Sequence, residues 1–183
     1  MKTTFKLVAF LLTITLLSCN ANLNLNDGVE GSGNVITEKR TINESFDKIS
    51  ASTGVTVIVE QGSPNDVEVE TDDNLMQYVI TKVENGTLIV KIEGNINTMS
   101  SIDVRVRMSS IVGLESTSGS RITSKNTLKG STIAVKSSSG SEIDAVLEYE
   151  NVSCESSSGS NITVAGKALK LETSSSSGSS IDA

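Results

Sequence analysis

The side chains that could act as nucleophiles are the Cys154 thiol and the serine runs 137–139, 156–158 and 174–177. A thiol or hydroxyl attacks only when a base draws off its proton or its surroundings lower its pKa. The sequence contains no histidine. Cys154 stands at the same step of a repeat as Leu114 and Val135. There a free cysteine serves as a small buried hydrophobe, which is favoured over a catalytic role. The serines flank glycines, where hydroxyls bond to local backbone. Stacked in columns, they would also suit weak, multivalent contact with glycans or protein.

Carboxylates and metals are the other chemistry to weigh. Asp72 and Asp73 are adjacent on one strand end, so they do not face each other as an acid/base pair would. Arg105 and Arg107 alternate with Val104 and Val106 and fall on one polar strand face, with a glycan-binding patch as the alternative to simple solvation. Asp144 and Asp182 follow equivalent isoleucines and could stack, but calcium needs several converging oxygens. With no histidine and no clustered cysteines, zinc and copper have no ligand set. No cofactor, metal or catalytic residue is expected, and the chain reads as a non-enzyme. A polysaccharide-active enzyme is the weakest of three readings.

The other cysteine, Cys19, carries a different chemistry. Lys2 and Lys6 precede the apolar run Leu7 to Leu17, which has the length of a secretory signal core and is too short to span a bilayer. Leu16-Leu17-Ser18-Cys19 resembles a bacterial lipobox. The resemblance implies that residues 1–18 are a signal peptide and that the Cys19 sulfur is lipidated. Lipid chains would then hold the protein on a membrane. Residues 19–34 read as a lipidated flexible tether. With Cys19 acylated, Cys154 has no disulfide partner.

Composition narrows the partners. The 183 residues carry a formal charge of −7, with 3% aromatics and no tryptophan. Nucleic acid is disfavoured, because phosphate binding needs a positive stripe. The scarcity of aromatic residues argues against a stacking groove for sugars or bases.

A repeat must position whatever these side chains do. Gly119, Gly140, Gly159 and Gly178 are spaced 21, 19 and 19 residues apart, each followed three residues later by Ile122, Ile143, Ile162 or Ile181. Five residues before the first three stand Leu114, Val135 and Cys154; in the last unit Leu169 and Leu171 are read as taking the ladder places two residues early. Apolar residues two apart mean strands, and self-similarity at this period means stacked coils. The spacing predicts an all-β solenoid of about 20 residues per coil, the isoleucines forming a continuous core. A parallel β-helix of this kind is right-handed by the rule for parallel crossovers.

Residues 35–118 are less regular. They predict short strands at 55–60 and 66–71 around the turn 61–65, a helical turn over 74–78 capped by Asp72 or Asp73, and strands at 79–83, 88–92 and 102–108. Asn85-Gly86 between two of them signals a hairpin. This half is expected to mix hairpins with coils and to cap the solenoid.

Several pieces together resemble a known family: Phe46-Asp-Lys-Ile49, Gly54-Val-Thr-Val-Ile-Val-Glu-Gln-Gly62, Val67-Glu-Val-Glu70, Asp73-Asn-Leu75, Asn85-Gly-Thr-Leu88 and the Ser-Ser-Gly-Ser corners. The match runs from about residue 35 to the end. It is similar to the bacterial envelope proteins with an auto-transporter adhesin head GIN domain. The resemblance implies a right-handed parallel β-helix, export and an adhesive role, and it transfers no catalytic residue. Residues 35–183 are thus expected to form one GIN-like domain, truncated at its C-terminus. The expected function is a lipid-anchored envelope protein, placed at the outer membrane by analogy, that presents a binding surface for glycan or protein. An envelope scaffold or sensor that binds another surface protein is the alternative. An uncapped last coil would also favour self-association through residues 169–183.

Overall fold

Apolar and polar residues alternate along most of the chain, and glycine-bearing corners interrupt them, so each stretch extends as a strand and turns at the glycine. The computed structural model describes residues 28–97 and 101–183 and is all-β. Its strands are β1 (Val35–Lys39), β2 (Lys48–Ser52), β3 (Thr56–Gln61), β4 (Asp66–Asp72), β5 (Val79–Glu84), β6 (Thr87–Ile92) and β7 (Asp103–Met108). They continue as β8 (Gly113–Ser116), β9 (Arg121–Ser124), β10 (Leu128–Ser137), β11 (Glu142–Ser156), β12 (Asn161–Ser175) and β13 (Ser180–Asp182). A 3-10 turn, Met76–Tyr78, precedes β5.

All thirteen strands belong to one curled sheet of order β1-β4-β7-β3-β9-β11-β10-β8-β2-β6-β5, with β12 and then β13 added beyond β11. The pairs are parallel except β1–β4, β4–β7 and β5–β6. The long strand β11 explains the curl. Its first residues pair with β9 and its later ones with β10, so one strand serves two walls. The walls meet at the serine-glycine corners, which join β2 to β3, β8 to β9, β10 to β11, β11 to β12 and β12 to β13.

The core lies in the concavity. On one wall Val57, Ile122, Ile143, Ile162 and Ile181 stand in register, the first four buried and Ile181 packed at the end. On the other wall Leu88, Ile49, Leu114, Val135 and Cys154 form a second buried row. Each buried Ile or Leu contributes roughly 1.5–3 kcal/mol by leaving water. Cys154 is 1% exposed, and burial pushes its thiol pKa up, away from the reactive thiolate.

Four expectations are corrected. First, β3 and β4 are not hairpin neighbours, because β7 lies between them. Charge gives the reason. Glu60 on β3 and Glu68 and Glu70 on β4 would repel across a direct pairing, whereas β7 brings Arg105 to Glu70 and Arg107 to Glu60. Second, no side chain caps the 3-10 turn; the Leu75 N–H bonds to the Asp72 carbonyl instead. Third, β12 keeps an unslipped register with β11, so Leu171 pairs with Val152 and Thr173 with Cys154, while Leu169 is 87% exposed. Fourth, Asp144 and Asp182 do not stack, because Thr163 stands between them.

Candidate functional site

The corners are tight turns whose two central residues both have positive φ. Ser118, Ser139, Ser158 and Ser177 lie at φ 53–55°, and the following glycines at 70–72°. The corner between β2 and β3 repeats this with Thr53 at 64° and Gly54 at 74°. The corners interlock through the backbone. Gly54 N–H donates to Ser118 O, Gly119 to Ser139 O, Gly140 to Ser158 O and Gly159 to Ser177 O, each at 3.1 Å. Five corners thus stack in one column, at the strand spacing of about 4.8 Å.

Each Ser-Gly corner contains two kinds of serine. The serine after the glycine points inward. Ser120, Ser141 and Ser160 are buried, and each sits 2.8–2.9 Å from a second hydroxyl, Ser116, Ser137 or Ser156. Ser120 Oγ donates to Ala51 O at 2.8 Å, Ser141 Oγ to Ser116 O at 2.6 Å and Ser160 Oγ to Ser137 O at 2.8 Å. These hydroxyls pin each corner to the one before it. Ser175 and Ser179 repeat the pair at the outer corner.

The residues before the glycine point outward. Thr53, Ser118, Ser139, Ser158 and Ser177 are exposed and make one column of hydroxyls. Beside it runs a half-buried column of Thr117, Ser138 and Ser157, in which Ser138 Oγ donates to Thr117 Oγ1 at 3.0 Å. A groove of about 310 Å³ follows the flank, lined by Ser138, Ser157 and Ser176 together with Glu115, Lys136 and Glu155. Lys136 bridges to Glu155 at 2.8 Å, and this pairing raises the Lys136 pKa.

The other candidates are placed as follows. Asp72 is buried, with neither carboxylate oxygen hydrogen-bonded. Asp73 is exposed and ties down the first described residues, accepting from Ser32 Oγ at 2.5 Å, Asn34 Nδ2 at 2.9 Å and Asn74 N–H at 2.7 Å. Those donors, Ser32 first, lower its pKa. Arg105 and Arg107 share a polar face, each already paired with a glutamate. Among the described residues no three His, Cys, Asp or Glu converge as a metal would need. Cys19 lies outside the described residues. The inward serine pair is what the sequence reading missed, and its signal was serine at both glycine +1 and glycine −3 in every unit.

Residues 45–183 match the family model described as "Putative auto-transporter adhesin, head GIN domain". The chain belongs to this family. Its fold is shared with solved bacterial proteins of low sequence identity. A putative lipid binding protein from Parabacteroides distasonis superposes with a TM-score of 0.71 at 17% identity, over 81% of this chain and 65% of that one. The GIN-domain chain therefore spans under two thirds of that protein's length. A putative adhesin from the same species gives 0.68 at 20% identity, over 86% of this chain and 76% of the other. A putative adhesin from Bacteroides fragilis gives 0.59 at 14%, over 85% and 99%. No curated protein matches the sequence.

Proposed function

We propose that this GIN-domain chain is a non-enzymatic, lipid-anchored protein of the bacterial envelope, whose curled sheet is a right-handed solenoid that presents the corner column as an adhesive face. One observation carries the reading. Five exposed residues, Thr53, Ser118, Ser139, Ser158 and Ser177, are held at positive φ, where glycine or asparagine fits with less strain. A side chain there costs on the order of 1 kcal/mol at each corner. Retained strain at a surface is a sign of use. The use open to a column of hydroxyls at fixed spacing is hydrogen bonding to a repetitive partner, a glycan chain or a protein surface.

Anchor and face fit together in this reading. The first described residues lie against Asn74 and Asn95, at the β4 and β6 end of the sheet. A lipid on Cys19 would hold that end near the membrane, with β13 at the far end of the column. The family and the similar solved adhesins support an envelope location. Two experiments test the proposal. Cys19→Ala is expected to abolish fatty-acid labelling and membrane fractionation; continued labelling refutes the anchor. The soluble domain from Gly33 onward is expected to bind members of a glycan and host-protein array; a blank array refutes the adhesive reading.

A further inference from the structure

The two ends of the sheet path, β1 and β5, each pair on one side alone among the described residues. They approach each other across a cleft of about 510 Å³, bounded by residues 38–42 on one side and 76–81 on the other. The hydrogen-bond phase shows which backbone groups face it. Glu93 N–H bonds to Tyr78 O, so Ile80, Lys82 and Glu84 are the residues bonded to β6; Val79, Thr81 and Val83 point the other way, where the Val79 N–H is taken by Met76 O and Thr81 and Val83 direct their N–H and C=O to the open side. Likewise Arg40 N–H bonds to Val67 O, which leaves Val35, Thr37 and Lys39 with theirs turned outward.

The cleft also has an apolar floor and an unsatisfied donor. Met76 and Val79 are buried, and Ile42 packs beside them. Arg40 spans the opening, donating from Nη2 to Met76 O at 3.0 Å and pairing through Nη1 with Glu38 at 2.8 Å. Its Nε–H is shielded from solvent with no acceptor. A strand residue occupies about 3.3 Å along the chain, 4.8 Å across the sheet and 10 Å through it, roughly 160 Å³. The cleft therefore holds about three residues of extended chain.

We propose that this cleft takes an extended polypeptide strand from a partner protein, which hydrogen-bonds to the free edge of β5, seats an apolar side chain over Ile42, Met76 and Val79, and offers a carbonyl to Arg40 Nε. Such strand addition draws affinity from main-chain bonds and specificity from alternate side chains. A second folded copy fits less well, because Lys39, Lys82 and Glu84 stud the two edges and charged edges oppose flat sheet-to-sheet pairing.

The test is selection of a displayed library of nine-residue peptides on the immobilised full-length chain, with Thr81→Pro as the discriminating variant. Proline there deletes an N–H that faces the cleft and breaks no bond to β6, so the sheet survives. Enriched peptides are expected to lose at least tenfold in affinity on Thr81→Pro. Their binding is expected to slow amide exchange, followed by NMR, at Thr81 and Val83 but not at Lys82. Backbone N-methylation at alternate peptide residues is expected to abolish binding. The inference is overturned if no peptide is enriched, if Thr81→Pro or N-methylated peptides bind as well, or if the Thr81 and Val83 amides already exchange slowly in the free chain, which would mean the edge is filled from within or by a second copy.

Discussion

Ser141→Ala tests how the corner column is held. Ser141 is 2% exposed and its Oγ lies 2.8 Å from Ser137 Oγ. Removing it does not orphan the neighbouring backbone, because Ser138 N–H still donates to Ser116 O at 3.0 Å. What is stranded is the Ser137 hydroxyl, itself 3% exposed. A lost net hydrogen bond costs about 1 kcal/mol and a buried unsatisfied hydroxyl a further 1–3, so the expected loss is roughly 2–4 kcal/mol. For a domain of this size that is a fall in Tm of about 4–16 °C. The double variant Ser137→Ala, Ser141→Ala removes both partners and is expected to be more stable than Ser141→Ala alone, since replacing both groups can be nearly neutral. Ser139→Ala, on the exposed column, is expected to change stability by about 0.5 kcal/mol or less. Denaturant titration with these variants decides the matter. Equal losses for Ser141→Ala and Ser139→Ala, or a double variant weaker than either single one by their full sum, would refute the assignment of Ser141 as the buried tie.

Other expectations follow from the same geometry. Ile143→Asp, at a fully buried step of the isoleucine row, is expected to cost about 3–5 kcal/mol, against about 0.5 for Glu142→Ala, whose partner is the exposed Arg121; equal melting temperatures would place Ile143 outside the core. Gly166→Ala is expected to cost several kcal/mol, because φ is +128° and a Cβ would lie 1.9 Å from the Leu147 carbonyl oxygen; a neutral result in thermal melts would mean β12 does not hold this register. Tyr149 donates to Ile111 O at 2.7 Å, and burial pushes its pKa up to about 12. A raised folded-state pKa means stability is complete below the unfolded value near 10 and falls as pH rises toward 12, by about 2 kcal/mol. Tyr149→Phe should flatten that decline in denaturation curves between pH 9 and 12.

Much of this fold could be read because the apolar rows are literal in the sequence. Ile122, Ile143 and Ile162 recur at a fixed distance from glycine, and the strand offsets of 21 and 19 residues equal the glycine spacings. Asn85-Gly86 gave its hairpin for a local reason, since both residues adopt positive φ, 50° and 75°. What local patterns could not supply was the choice of neighbours. The place of β7 between β3 and β4 depends on charges some 35 to 47 residues apart in sequence. The inward serines were hidden by their type, because a polar residue reads as exposed unless a buried partner is known. Thr173 misled in the same way by standing where a hydrophobe was expected.

The exposed hydroxyl column is the proposed binding face. The most direct measurement replaces Ser118, Ser139, Ser158 and Ser177 together with glycine and compares the variant with the unaltered protein on the glycan and protein array, alongside its Tm. Glycine accepts positive φ without strain, so the variant should fold with an equal or higher Tm. Binding is expected to fall at least tenfold while the fold stands. Undiminished binding by this well-folded variant would contradict the assignment of the column as the binding face.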